Sequence, residues 1–382
     1  YPAGRVLMVE NTVDAMLALA AWYRDRMPAR VVGITGSVGK TTTKEMLAQT
    51  LSAGFDVMKT AGSQNSQVGV PITICGLEPR HTAAVVEMGM SMPGEMGRIA
   101  PVVRPTCAVI TNIGVSHIEF CKTRENILKE KMHIADYLPY TGALFVNGDD
   151  DLLSALEDTA ACRVIPYGLG EDCYWQAQDL REENGGTRFT CLSPQGWEQE
   201  VFVPAPGVHN VRNALACMAV ACHLGMAGEA AAQAIADYTP PAMRQQILQA
   251  GGVTVIDDSY NASPDSMRGA LDVLCSRPCE GRRFAVLADM LELGEVSRQA
   301  HLEVGQYARE KGIHELIAVG PLAKDIAQGF GDGARWFPSN GEALGFLKGA
   351  LGAGDAVLVK GSRGMHTDEI VKALCGGSQQ GK

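Results

Sequence analysis

Gly36, Gly39, Lys40 and Thr41 are the residues whose types and spacing most directly imply chemistry, within Gly33-Ile34-Thr35-Gly36-Ser37-Val38-Gly39-Lys40-Thr41-Thr42-Thr43. Glycines let backbone N–H groups close around a polyphosphate, a lysine reaches its terminal phosphates, and a threonine hydroxyl can hold Mg²⁺. The spacing departs from G-x-x-x-x-G-K-[ST], because Ile34 stands where the first glycine belongs. A glycine-rich turn that binds nothing is the plain alternative, but Gly-Lys-Thr-Thr follows the turn immediately. A dinucleotide fingerprint fits less well, since G-x-x-G-x-x-G is not G-x-G-x-x-G. Thr35, Gly36, Ser37, Val38, Gly39, Lys40 and Thr41 are therefore candidates for binding a nucleoside triphosphate. Guanine-specific proteins carry N-K-x-D, and Asn147-Gly148-Asp149-Asp150 lacks the lysine. Adenine is the default base.

Further polar residues stand where apolar strands end. Glu87 stands in the last part of Ala83-Ala84-Val85-Val86-Glu87-Met88-Gly89, and a carboxylate there can hold Mg²⁺ directly or through water. Asn112 ends the run Cys107–Asn112 and His117 lies in the loop after it, and Asp149 follows Ala143–Asn147. Ligands of parallel sheets collect at such ends, so Lys40, Glu87, Asn112, His117 and Asp149 are expected to converge. A lone loop histidine is more often not a metal ligand. Asn210 and Asn213 share a helix face at i and i+3, for which a cap plus a surface residue is the plainer account. Asp257-Asp258-Ser259-Tyr260-Asn261 and Lys360-Gly361-Ser362-Arg363 follow strands directly; either is a ligand loop or a solvated one.

Lys131 is a different case. Ile127, Lys131, Ile134 and Leu138 fall at i, i+4, i+7 and i+11 of an expected helix over 125–138, which is its apolar stripe. Lys129 instead shares the polar face with Glu125, His133 and Asp136. A lysine on the inward stripe either snorkels or is used. If buried, its pKa falls, leaving a neutral amine that reacts with CO₂. The carbamate formed is a carboxylate, a hard oxygen ligand for Mg²⁺. Periodicity alone favours snorkelling.

The elements that position these residues read as α/β. Strands and helices alternate from 30 to about 150, as a mostly parallel sheet with crossovers requires. Residues 171–206 change character, with Asn184-Gly185-Gly186 between alternating runs, and predict a small antiparallel patch beside that sheet. Thr239-Pro240-Pro241 reads as a linker. Beyond it strands are expected near 253–257, 283–288, 315–319 and 356–360, in a second, Rossmann-like unit. The expected organisation is residues 1–29 as a remnant of an N-terminal domain with a connecting helix, 30–241 as a central phosphate-loop domain, and 242–382 as a C-terminal domain. Within 1–29, a strand over Arg5–Val9 and a helix over Thr12–Arg26 are expected. At 382 residues, 46% hydrophobic and 20% charged, the composition is that of ordinary globular domains. The net charge of −10 argues against a nucleic-acid partner. Eleven cysteines without a C-x-x-C pair suggest reduced core residues rather than a disulfide framework or a zinc site. The longest apolar run, Ala214–Met226, is too short to span a membrane.

Taken together, Gly36–Thr42, Val86-Glu87-Met88-Gly89, Thr111-Asn112-Ile113 with His117, Pro206-Gly207 with His209-Asn210 and Asn213-Ala214, and Asp257–Ala262 resemble the Mur ligase family. Asp289-Met290, Glu292-Leu293-Gly294 and Val359–Arg363 are most similar to its branch that uses D-alanyl-D-alanine. The likeness runs over essentially the whole chain, with the family's uridine-binding domain represented only by residues 1 to about 10. It implies an ATP- and Mg²⁺-dependent amide ligase of peptidoglycan precursor synthesis, cytoplasmic and monomeric. UDP-N-acetylmuramoyl-tripeptide and D-alanyl-D-alanine would be joined through an acyl phosphate, giving ADP and phosphate. On the matched positions, Lys40, Glu87, His117 and Lys131 would be catalytic. Thr41 and Glu87 would hold the ATP-associated Mg²⁺, with His117 and carbamylated Lys131 at a second. Asn210 and Asn213 would lie by the adenine, and Arg244 and Asp258 would approach phosphates and ribose across the cleft. Lys360, Ser362 and Arg363 would meet the dipeptide. A sister amide ligase such as folylpolyglutamate synthase, or an ATP-binding module without catalysis, remain as alternatives.

Overall fold

The computed structural model describes residue 4, residues 6–158 and residues 162–376. Among these, the strands form two sheets. The first contains β1 (Arg30–Thr35), β2 (Val57–Lys59), β3 (Ala83–Glu87), β4 (Cys107–Ile110), β5 (Ala143–Asn147), β6 (Arg163–Gly168), β7 (Trp175–Glu183), β8 (Gly186–Leu192) and β9 (Glu198–Val203). Their order is β2-β3-β1-β4-β5-β6-β7-β8-β9. Pairing is parallel from β2 to β7, and β7–β8 and β8–β9 are antiparallel. The antiparallel patch is thus the continuation of the main sheet, joined to it where Tyr167 and Gly168 pair with Trp175 and Gln176. Its hairpin turns at Asn184 and Gly185, both at positive φ, as a two-residue loop of this kind requires.

The second sheet contains β10 (Gln246–Ala250), β11 (Val253–Asp258), β12 (Arg283–Ala288), β13 (Glu315–Val319), β14 (Ala334–Phe337) and β15 (Ala356–Lys360), in the order β10-β11-β15-β12-β13-β14. Only β10 runs antiparallel. The edge strands β10 and β14 are the ones the alternation did not suggest. Both are mostly half-buried or exposed and lack the continuous apolar run of β12 or β15.

Each sheet is covered on both faces, so its central strands are apolar throughout. On one side of the first sheet Val32, Ile34, Val85, Val109 and Phe145 pack under the alanine-rich helix Val208–His223. On the other, Val31, Ala84, Val86, Ile110 and Val146 pack against Met96, Ile99, Ile127 and Ile134. Small side chains let the first helix come close: Ala214, Ala216, Ala219 and Ala221 are all fully buried. The described cysteines are all free, and no described helix is long and apolar enough to cross a membrane.

The N-terminal strand expectation needs correction. Arg5 lies outside the described residues, and Val6–Val9 joins no sheet; Leu7 and Met8 are exposed. Apolar residues alone do not make a strand without a neighbour for the backbone groups. The helix that follows spans Thr12–Arg24, capped by the Asn11 side chain, which accepts from Val13 and Asp14 N–H.

Histidines that lose hydration on folding make stability depend on pH. Burial lowers the pKa of His117, His209, His223 and His301. His301 shows why. Its Nε2 accepts from Met290 N–H at 3.0 Å and its Nδ1 donates to the Ser297 carbonyl at 2.7 Å, so a second proton would break the former bond. The unfolded chain protonates near the ordinary value of about 6.5 while the folded chain resists. The unfolded state therefore binds more protons below that pH, and folding stability falls as pH drops through it. The melting temperature should be lower at pH 6 than at pH 7.5, and His301→Gln should flatten the slope. A slope unchanged by that substitution would remove His301 from the account.

Candidate active site

The phosphate loop is held by two glycines and by the end of β4. Gly36 has φ 143°, and a Cβ there would lie 1.9 Å from Thr111 Oγ1. Gly39 has φ 87° at the N-terminus of the helix Lys40–Ser52, against the Asn213 side chain. Ile34 is buried inside β1, so the turn begins at Gly36, and this explains the displaced glycine of the motif. Asn112 braces the loop twice: its carbonyl accepts from Ser37 N–H at 3.0 Å and its Oδ1 from Val38 N–H at 2.8 Å. Ser37 Oγ in turn accepts from Gly114 N–H at 2.9 Å. Thr35 lies in β1 beneath the loop, fully buried.

Three charged side chains gather under and beside this loop. Lys40 Nζ donates to the carbonyls of Gly36 at 2.6 Å and Ser37 at 3.1 Å. Its pKa is lowered by burial and by Arg244, against the opposing pull of Glu87. Lys131 Nζ donates to the same Gly36 carbonyl at 3.1 Å, with the side chain 1% exposed. Lys131 does not snorkel. Burial first, and the neighbouring Lys40 charge second, push its pKa well below the usual lysine value. Lys129, on the other face, is exposed.

Glu87, 1% exposed at the end of β3, accepts from Thr41 Oγ1 at 3.0–3.1 Å and from Asn65 Nδ2 at 2.7 Å. A hydroxyl and a carboxylate side by side suit Mg²⁺, which takes few protein oxygens and completes its shell with water and phosphate. No cluster of three or more His, Cys, Asp or Glu that could hold a metal occurs among the described residues.

A cleft of about 1310 Å³ runs from this loop to the second sheet, and residues of both sides line it. Arg244, just beyond Pro240-Pro241, donates to Thr41 Oγ1 at 3.0 Å and lies over the Tyr260 ring at 4.2 Å. Its neighbours Met243 and Gln245 are both left-handed, with φ 61° and 53°. Such backbone persists only where surroundings impose it, and here it aims Arg244 back at the loop. Tyr260 Oη meets Ser63 Oγ across the cleft. His117, itself at φ 64°, brings Nδ1 to 2.5 Å from Glu292 Oε2. Burial and Lys40 lower its pKa, and Glu292 opposes them.

Not every expected residue reaches the cleft. Asn210, Asn213, Arg244, Asp258, Lys360 and Arg363 line it. Asn213 Oδ1 accepts from Thr43 Oγ1 at 3.1 Å, and Asn210 Nδ2 donates to the Pro206 carbonyl at 2.7 Å. Lys360 is buried against Asp258 at 2.6 Å. Ser362 does not line the cleft: its hydroxyl accepts from Leu291 N–H at 2.9 Å and fixes the loop after β12. Asp149 does not converge on the site either. It pairs with Arg212 at 2.6 Å and caps Leu169 and Gly170 N–H, closing β5 onto β6. Lys44 and Asn65 belong to no motif, yet both touch or face Glu87. For Lys44 a signal existed, since it follows Lys40 by one helical turn.

Comparison with known proteins agrees with this geometry. The Mur ligase middle domain matches residues 34–221, and the Mur ligase, glutamate ligase domain matches residues 243–363. The chain is 36% identical over 375 residues to the UDP-N-acetylmuramoyl-tripeptide–D-alanyl-D-alanine ligase of Bacillus subtilis (strain 168), covering 97% of this chain and 81% of that protein. A crystal structure of MurF from Acinetobacter baumannii has a TM-score of 0.90 at 31% identity, over 97% of this chain and 82% of that one. MurF ligase from Thermotoga maritima in complex with ADP has a TM-score of 0.88 at 27% identity, over 98% and 86%. With two matched domains in sequence and a relative this similar over most of its length, the chain belongs to the Mur ligase family.

Proposed function

We propose that the protein is the ADP-forming ligase that joins D-alanyl-D-alanine to UDP-N-acetylmuramoyl-tripeptide in the cytoplasm. The observation that carries this is the cleft, where Lys40 and Thr41 of the phosphate loop and Glu87 at the end of β3 face Arg244, Asp258 and Lys360 on the side of the second sheet. Nucleotide and peptide ligands can meet there, since residues of both sides line it. The working lobes are 30–241 and 242–382, each with its own sheet.

A carboxylate is a poor acyl donor until one of its oxygens becomes a good leaving group. The tripeptide carboxylate oxygen attacks the γ-phosphorus of ATP and ADP leaves, forming the acyl phosphate. The amine of D-alanyl-D-alanine then attacks the acyl carbon, phosphate leaves, and the nitrogen gives up a proton as the amide forms. Lys40 and the loop N–H groups stabilise charge on the transferring phosphoryl group. Arg244 approaches from the other lobe and neutralises the same charge once the cleft is filled. Thr41 and Glu87 would hold Mg²⁺, which would supply charge to offset that of the phosphates. His117, at the cleft, and Lys131, beneath the loop and as its carbamate, would be the residues to hold a second metal, which would supply charge to the acyl phosphate. Asn210 and Asn213 approach the adenine, Asp258 the ribose, and Lys360 and Arg363 the dipeptide.

Phosphate release measured with ATP and each combination of acceptors tests the reading. Release is expected only when the muramoyl tripeptide is present, with amide product only when D-alanyl-D-alanine is added. Turnover with a folate and glutamate instead would make it a folylpolyglutamate synthase. Nucleotide binding with no release under any combination would make it a non-catalytic module.

A further inference from the structure

Lys44 is a fully buried cation one helical turn beyond Lys40. Its ammonium has three neighbours. It donates to the Gly62 carbonyl at 2.5 Å, and lies 3.0 Å from Glu45 Oε1 and 3.5 Å from Glu87 Oε2. Glu45 is partly exposed and also pairs with Lys59, so its charge has another partner. Glu87 is enclosed, and Lys44 is the cation the structure places against it within 4 Å.

The Gly62 contact matters as much. Gly62 stands at φ 52° in the segment between β2 and the helix Gly69–Cys75. That segment presents Ser63 to Tyr260 of the other lobe and Asn65 to Glu87. Asn65 is itself wedged against Gly89, where a Cβ would come within 2.7 Å of Asn65 Cγ. One ammonium thus ties together the carboxylate, the segment that hydrogen-bonds it, and the segment's contact across the cleft.

We propose that Lys44 is a positioning residue of the phosphoryl-transfer site, holding the Glu87 carboxylate and the Gly62–Asn65 segment so that Glu87 faces Thr41. The inference rests on the reading of Glu87 as a Mg²⁺ carboxylate. Groups that orient a metal-binding side chain are commonly worth about 10–100-fold in metal affinity. Removing one member of a buried ion pair also leaves the other charge uncompensated, so the two substitutions should not add.

The test uses the full chain and a non-hydrolysable ATP analogue. Lys44→Met should raise the Mg²⁺ concentration for half-maximal analogue binding by about 10–100-fold, with binding in excess EDTA little changed. Lys44→Gln, which keeps a donor for Gly62 but not the charge, should lie between wild type and Lys44→Met. In thermal melts Lys44→Met should lose roughly 5–10 °C, and Lys44→Met/Glu87→Gln should recover a clear part of that loss. If Lys44→Met does not fold, rescue of folding by the double substitution is the supporting outcome. Unchanged Mg²⁺ dependence in a folded Lys44→Met, or a double variant no more stable than Lys44→Met, overturns the proposal. Glu87→Gln alone tests the underlying reading separately: unchanged Mg²⁺ dependence there removes Glu87 from the metal site, whatever Lys44 does.

Discussion

Lys40→Ala is expected to abolish measurable ligation. Lys40 is the cation that the glycine loop carries at its own mouth, and its ammonium already sits on the loop carbonyls of Gly36 and Ser37. Phosphoryl transfer leaves little covalent chemistry to the protein, so positioned charge is most of what it contributes. Loss of one such group costs on the order of 10²–10³ in rate. Lys131 sits at the same carbonyl, but beneath the loop and outside the cleft lining, so it cannot substitute. Arg244 reaches Thr41, yet from the opposite lobe. Product formation should be measured with both acceptors at saturating ATP. A Lys40→Ala enzyme that retains near-normal turnover would show that the loop is not where phosphate is transferred.

The second large effect is expected at Lys131, and the control is its neighbour Lys129. Lys131→Ala should lose turnover by a factor comparable to Lys40→Ala while still binding ATP, because Lys131 does not line the nucleotide cleft. Lys129→Ala, on the solvent side, should be nearly silent. Burial, and the Lys40 charge after it, lower the Lys131 pKa well below the usual lysine value, which raises the share of neutral amine able to add CO₂. Intact-mass measurement under gentle conditions should therefore show one added carbamate on the wild type and none on Lys131→Ala. Full turnover by Lys131→Ala, or a damaging Lys129→Ala, would place the function of this helix elsewhere.

Much of this protein is legible in one dimension because its physics is local. A glycine-rich turn followed by Lys-Thr at a helix start is readable from residue types, since backbone N–H geometry and side-chain reach are set within a few residues. The central strands β1, β3, β4, β5, β12 and β15 announce themselves because a parallel sheet covered on both faces needs unbroken apolar runs. The stripe placing Lys131 inward is likewise local, although the helix spans only Arg124–Met132 rather than 125–138, with Ile134 in the 3-10 turn His133–Ala135 that follows.

Other features depend on which distant segments meet. No local signal distinguishes Asp149, which closes β5 onto β6 through Arg212, from Glu87, which faces Thr41; both are acids at strand ends. Their difference lies in the residues opposite them, 63 and 46 positions away in the chain. Ser362 likewise reads as a ligand-loop hydroxyl until Leu291 N–H is found against it. Whether Lys131 snorkels or stays buried was decided by the Gly36 carbonyl, 95 residues away, which gives its ammonium a partner inside. For Lys44 the sequence shows only that it shares a helix face with Lys40; its meaning comes from Gly62 and Glu87, brought to it by the β2–β3–β1 order of the sheet. Periodicity tells which way a side chain points, but the charge or carbonyl it meets there is supplied by the tertiary fold.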